Sequence, residues 1–486
     1  MNKPLRRVAA GCLLLLFALL INVTYVQGFQ ADELNERSDN RRVLLDEYSK
    51  ERGPILVGET ELARSVPSDG EFAYQREYTD PTVYAPLTGY YSSVFGRSAL
   101  ERAQNSVLSG DDDRFFVRRL VDLVSGEEQR GGAIELTIND EAQQAAYDAL
   151  GDNKGAAIAI DPSTGGILAM VSKPSYDPNP LASHSVETQQ EAWDELNSDE
   201  DKPALNRAIA QTLPPGSVFK LVTAAAALEE GDYTPDSTIP GPASYDLPLT
   251  DSELPNYDGQ ACGPGGQTTL TNALDISCNT AFAYLGNDLG GDALREQAQR
   301  FGFGSQPLAN EDLNAAASQF PADPDEPQEA LSAIGQYDVT VTPLQMAMVT
   351  AAIANDGTLM TPYVVDEILA PNLVRTFDET EPSEQSEAMS ESAAQDLQEM
   401  MVSVVENGTG SNAAIEDVEV GGKTGTAQSS PDRPPYAWFT SFAPADDPQV
   451  AVAVVIEEAT DVPRTEIGGN ALAAPVAHDV MEAVLE

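Results

Sequence analysis

Imidazole is scarce in this chain: 486 residues hold two histidines, His184 and His478. His184 lies in a polar loop and His478 inside the last amphipathic segment, neither beside a serine motif, which sets aside a Ser-His-Asp triad. Lysine is nearly as rare, with seven residues at positions 3, 50, 154, 173, 202, 220 and 423. Basic side chains of both kinds number 27 against 78 carboxylates, a formal charge of -51. Such a balance sets nucleic acid aside as a partner, because phosphate binding needs the opposite sign. It reads as an acidic, solvated surface suited to a high-salt medium, where counterions screen the self-repulsion. Thermal unfolding should therefore show a less stable protein in dilute buffer than in molar salt. No internal repeat and no Pro-rich tail is evident.

Long apolar runs are also few, and one stands out. After Lys3, Arg6 and Arg7, residues Val8 to Val26 carry no charge, and Asp32 and Glu33 follow. The run matches the hydrocarbon thickness of a bilayer, and its basic flank places the rest of the chain outside the cytoplasm. The rival reading is a cleaved signal peptide, for which Val26-Gln27-Gly28 is a poor processing site. The expected layout is a cytoplasmic tail (1–7), a transmembrane helix (8–27), a stem region (28–130) and a catalytic domain (131–486). Of three cysteines, Cys12 is an ordinary residue of the apolar run. Cys262 and Cys278 lie in the exported part, where a disulfide between them is permitted and two unpaired thiols are the alternative.

From Gly131 the pattern becomes that of a folded core. Residues 133–138 alternate as a strand, Asp140 caps a helix through Leu150, and the apolar runs 156–160 and 167–171 form a hairpin. Residues 418–428, 437–443 and 450–457 read as three further strands. Helices are expected over 219–228, 279–289, 343–354, 392–405 and 474–485, with loops or lobes over 232–268 and 306–327. Strands at both ends with helices between them give an α+β domain, a five-stranded antiparallel sheet covered by helices.

Among the seven lysines only Lys220 has a serine three positions earlier, in Pro214-Pro215-Gly216-Ser217-Val218-Phe219-Lys220. The prolines and glycine followed by an apolar-periodic run put Ser217 at a helix N-terminus, with the Lys220 amine on the same face and able to reach its hydroxyl. For Lys220 to act as a base its pKa must fall, through burial or a second cation. Lys423 supplies a candidate cation, in Gly421-Gly422-Lys423-Thr424-Gly425-Thr426, on a strand where an extended peptide could pair. Ser277-Cys278-Asn279, in a turn between helices, adds a hydroxyl for proton relay and an amide to hold a peptide group. A literal Ser38-Asp39-Asn40 lies near the membrane and ahead of Ser217, and is a decoy. No acidic residue occurs in 203–228, 259–274 or 420–431, the windows beside the three motifs.

These three motifs in this order resemble the penicillin-binding proteins, and more narrowly the monofunctional class B transpeptidases of the actinobacterial penicillin-binding protein A type. Further matches are Arg52-Gly53-Pro54-Ile55, Ala159-Ile160-Asp161-Pro162, Gly165-Gly166-Ile167-Leu168-Ala169-Met170, Ala333-Ile334-Gly335-Gln336, Val341-Thr342-Pro343-Leu344-Gln345-Met346-Ala347, Asn407-Gly408-Thr409-Gly410, Ala427 after the lysine motif, and Trp438-Phe439. Many members carry glycine where this chain has Tyr337, and a residue other than cysteine at Cys278. The resemblance implies the β-lactamase-like transpeptidase fold behind an anchor and stem, with neither cofactor nor metal. It implies that Ser217 attacks the penultimate D-alanine carbonyl of a peptidoglycan stem peptide while Lys220 takes its proton. The leaving D-alanine is protonated through Ser277 with help from Lys423. The N–H groups of Ser217 and Thr426 hold the oxyanion, Asn279 orients the peptide, and Lys423, Thr424 and Thr426, flanking Gly425, receive its carboxylate. Expected partners are lipid II-derived strands, β-lactam antibiotics, the membrane and a glycosyltransferase of the elongation or division machinery. A D,D-carboxypeptidase, a serine β-lactamase and a non-enzymatic β-lactam sensor are the competing readings.

Overall fold

The computed structural model describes residues 3–29, 47–70, 72–126, 129–230, 233–373, 376–428 and 433–486; Ser38-Asp39-Asn40 lies outside them. The apolar run forms part of a helix, Lys3–Phe29. Its segment Lys3–Val26 is long and apolar enough to cross a membrane.

The catalytic core is the expected five-stranded sheet, with strands in the order Gly421–Ala427, Tyr436–Ala443, Val450–Glu458, Lys154–Ile160 and Ile167–Lys173. Every pairing is antiparallel. Both faces are covered, which explains why Val450–Glu458 is almost continuously apolar where a half-exposed strand would alternate. Side chains nevertheless sort by the period of two. Ala156, Ile158 and Ile160 join Val455, Ala453 and the wholly buried helix Pro343–Ala354 on one face. Ala157 and Ala159 join Val452, Val454 and the helices Asp140–Leu150 and Ala474–Leu485 on the other.

One local expectation needs correcting. The cap of Asp140–Leu150 is Asn139, whose side chain accepts the Ala142 N–H, and Asp140 is the first helical residue. The helix beginning at Asn279 ends before Gly290 as expected: Gly290 takes φ 81° and ψ 159°, outside helical geometry, and a second helical stretch runs on to Arg300.

The stem is more structured than its charge-rich sequence suggests. Strands Ile55–Val57, Thr60–Pro67 and Tyr74–Tyr78 share a six-stranded sheet with Ala133–Leu136, Val365–Leu369 and Thr376–Glu379. Ile55 pairs in parallel with Ile134, so strands from both sides of the expected boundary at Gly131 belong to one sheet. Gly53 makes that junction possible, since a Cβ there would lie 1.7 Å from the Gly132 carbonyl oxygen. Beside it, fully buried Glu101 takes Arg52 Nε at 2.6 Å and Arg76 Nε at 2.7 Å. Burial alone would raise the Glu101 pKa, but Arg76 and Arg52 hold it below the ordinary carboxylate value.

A carboxylate with a depressed folded pKa stabilises above its unfolded value and loses that contribution as pH falls through the folded one. Glu101→Gln should reproduce the acid effect at neutral pH, since it leaves two buried guanidinium groups short of charge. We expect a loss of about 3–5 kcal/mol, measured by denaturant unfolding.

Candidate active site

Ser217 sits in a short 3-10 turn, Gly216–Phe219, that leads into the helix Lys220–Glu229. Three contacts hold the turn. The Trp438 indole N–H donates to the Pro214 carbonyl at 3.0 Å. The Gly216 N–H donates to the Gly335 carbonyl at 2.9 Å, and Leu213 and Val341 exchange backbone hydrogen bonds. Gly216 adopts φ 55°, and a Cβ there would stand 3.0 Å from both the Thr426 carbonyl oxygen and the Ala427 side chain. Glycine therefore lets the Ser217 turn press against the backbone of Gly421–Ala427, which is an edge strand. The motif residues Trp438, Gly335 and Val341 thus hold the backbone of Leu213, Pro214 and Gly216 that leads into Ser217.

Lys220 is fully buried. Its Nζ lies 2.8 Å from the Ser277 carbonyl oxygen, 3.2 Å from Ser277 Oγ and 2.8 Å from Asn279 Oδ1. No hydrogen bond joins the Lys220 amine to Ser217 among the described residues, where the amine is engaged by the Ser277-Cys278-Asn279 turn; Ser217 itself is half-buried. Burial pushes the Lys220 pKa well below the ordinary amine value, and the Lys423 charge pushes it further.

Lys423 is itself fully buried, with Nζ 3.0 Å from the Thr424 carbonyl oxygen. Burial takes its pKa down to about 7, against an opposing pull from Asp275. Thr424 Oγ1 meets Thr409 Oγ1 at 2.8 Å, while Thr426 is exposed on the same strand.

Ser277 takes φ 57°, a left-handed conformation that a residue with a Cβ pays to adopt. It is held there by helices on either side, Leu270–Asp275 and Asn279–Arg300, and by the adjacent Cys278, which forms a disulfide with Cys262 at a Cα separation of 6.0 Å. The bridge ties the turn to a lobe of short strands over 238–269. Asn256 of that lobe accepts the Thr280 N–H, and Asn279 Nδ2 reaches the Pro255 carbonyl at 3.5 Å.

His184 and His478 stay outside this constellation. His184 Nε2 lies 3.1 Å from the Tyr74 carbonyl of the stem, and His478 pairs with Asp479. No metal-binding cluster of His, Cys, Asp and Glu occurs among the described residues.

Asp275 is the residue that the motifs did not reveal. It immediately follows the acid-free window 259–274, and it is buried with Oδ1 unpartnered and Oδ2 accepting from Ser403 Oγ at 3.0 Å. Its backbone carbonyl takes the Thr409 N–H, which accounts for the Asn407-Gly408-Thr409-Gly410 motif. Asp275 supports the charged form of Lys423, and charged Lys423 in turn favours a neutral Lys220. Asp275→Asn should weaken both effects, so the acid limb of the acylation rate against pH is expected to move to higher pH.

The transpeptidase-domain profile of the penicillin-binding proteins matches residues 155–482, and the penicillin-binding protein A dimerisation-domain profile matches residues 52–134. The chain is 45% identical to the peptidoglycan D,D-transpeptidase PbpA of Mycolicibacterium smegmatis, covering 100% of this chain and 99% of that protein. It is 44% identical to PbpA of Mycobacterium tuberculosis over the same shares. The structure of penicillin-binding protein A from M. tuberculosis as a ceftriaxone acyl-enzyme complex superposes with a TM-score of 0.86 at 43% identity, covering 91% of this chain and 100% of that one. Its penicillin G acyl-enzyme complex gives 0.85, covering 90% of this chain and 100% of that one. With its sheet, its stem and its serine and lysine motifs accounted for on one scaffold, the chain belongs to the class B penicillin-binding protein family.

Proposed function

We propose that Ser217 is the nucleophile and Lys220 the general base of a peptidoglycan D,D-transpeptidase that β-lactams acylate at the same serine. The observation that carries these roles is the fully buried Lys220 amine, one turn from Ser217, gripped by Ser277 and Asn279 and flanked by a second buried lysine. A neutral amine has two N–H bonds, which suit the Ser277 and Asn279 carbonyl oxygens, and a lone pair left for a hydroxyl proton.

In the proposed sequence Ser217 Oγ adds to the penultimate D-alanine carbonyl and its proton passes to Lys220. The bond to the terminal D-alanine breaks, and the proton reaches the leaving amine through Ser277 Oγ, assisted by Lys423. The N–H groups of Ser217 and Thr426 receive the oxyanion. Asn279 orients the stem peptide along the edge strand, Lys423, Thr424 and Thr426 take its carboxylate, and Gly425 leaves the strand backbone open. An amine from a second stem then resolves the acyl-enzyme.

The helix Lys3–Phe29 anchors the protein in the membrane, with residues 1–7 cytoplasmic, the stem from 28 to 130 and the transpeptidase domain from 131 outside. The Cys262–Cys278 bridge supports that placement, since disulfides persist in oxidising compartments. A glycosyltransferase supplies the strands to be cross-linked. The test is product analysis with uncross-linked, lipid II-derived peptidoglycan. Dimeric muropeptides joined through the donor's penultimate D-alanine are expected, and shortened stems without dimers would indicate a carboxypeptidase.

A further inference from the structure

The stem helix Phe116–Ser125 is turned inside out. Phe116, Val117, Leu120, Val121 and Val124 fall on one face, and all five are exposed, from 54% at Leu120 to 83% at Val124. Of its polar side chains Asp122 turns inward, 8% exposed and 3.7 Å from Arg118, while Arg118 and Arg119 stay partly exposed at the flanks, Arg119 Nη1 donating to the Gly110 carbonyl. The anchor aside, no other described helix exposes more than one large hydrophobic side chain. The patch covers about 500 Å², at the upper end of what a monomer leaves open.

Charge narrows the occupant. The ionisable side chains of this helix that reach its surface are Arg118 and Arg119, in a chain with 78 acidic residues and 27 basic ones. Asp112 and Asp113, just before it, lie 2.8 Å from Arg114 and 4.0 Å from Arg119. An apolar stripe bordered by arginine is the composition of a helix that lies in a bilayer interface. The chain between Phe29 and Glu47 also tethers the stem within about 60 Å of any membrane that holds the anchor, so contact is an intramolecular event and a modest gain suffices. A second copy pairing through this one short helix would bury only about 1,000 Å² in total, the lower limit for a specific interface.

We propose that the apolar face of Phe116–Ser125 lies in the headgroup and upper acyl region of the bilayer that holds the anchor helix, with Arg118 and Arg119 reaching lipid phosphates. The proposal rests on the membrane anchoring stated above. It sets the catalytic domain's orientation over the membrane by a second point of attachment.

The test uses the full chain with Cys12→Ser and Val124→Cys, labelled with nitrobenzoxadiazole and reconstituted into phosphatidylglycerol–phosphatidylcholine vesicles with or without acyl-chain nitroxide lipid. Quenching about threefold stronger than at a label on exposed Ser198→Cys is expected. Adding Val121→Asp, or separately Val117→Ser, should reduce it while penicillin acylation continues unchanged, which reports an intact fold. Protein that floats with the vesicles but is quenched no more at 124 than at 198 overturns the proposal and leaves the anchor standing. Protein that does not float overturns the anchor itself. A blue-shifted label without nitroxide quenching also overturns the proposal, in favour of a second copy if the shift grows with protein density and of the chain's own segment if it does not.

Discussion

Ser217→Ala is expected to abolish covalent labelling by a fluorescent penicillin at every concentration and time tested, because it removes the hydroxyl proposed to carry the acyl bond. The substitution removes one half-buried hydroxyl that makes no hydrogen bond among the described residues. Its backbone contacts run through Pro214, Gly216 and Gly335 and are untouched. Stability should therefore change by less than about 1 kcal/mol, and the variant should keep its unfolding transition while losing all label. Reversible binding of the antibiotic should persist, since the oxyanion donors and the lysine strand remain.

Lys220→Met keeps most of the side-chain volume and removes the amine, and the acylation rate should fall by about 10²- to 10⁴-fold, the span usual for loss of a general base. The stability effect has two opposed parts. The Ser277 and Asn279 carbonyl oxygens lose their partner, at about 1–3 kcal/mol each if water does not replace it, while a desolvated amine is no longer buried. The pH dependence separates base chemistry from mere packing. In the native protein acylation should decline as pH falls through the depressed Lys220 pKa, because a protonated amine accepts nothing, and Lys220→Met should flatten that limb.

Lys423 adds a stability signature of its own. Its folded pKa of about 7 lies below the ordinary 10.5, so between those values the unfolded chain binds the proton more readily. Stability contributed by this group therefore rises with pH across that window, and the full penalty is present below about 7.

The candidate nucleophile was legible because the chain is poor in the alternatives. With two histidines and seven lysines, the Ser217 and Lys220 pair has few competitors, and the motif order supplies the rest. Continuous apolar runs made the central sheet readable, because both of its faces are buried, while alternation marked residues 133–138, whose strand Ala133–Leu136 belongs to the six-stranded sheet. What stayed hidden is non-local. Nothing in the spacing tells that Glu101 meets both Arg52 and Arg76, or that Asp275 faces Lys423, although a lone acid at the border of an acid-free window was a usable signal. Amphipathicity of Phe116–Ser125 can be read from its residues, but which face turns inward depends on partners distant in sequence. The engagement of Lys220 by Ser277 and Asn279 depended likewise on a left-handed Ser277, a conformation that local propensity argues against.

The most direct test of the central claim is peptide mapping by mass spectrometry after incubation with penicillin G. A single adduct with the mass of the intact antibiotic, on the peptide that contains Ser217 and localised to that residue, is the predicted result. An adduct on any other residue, or continued adduct formation in Ser217→Ala, would contradict it.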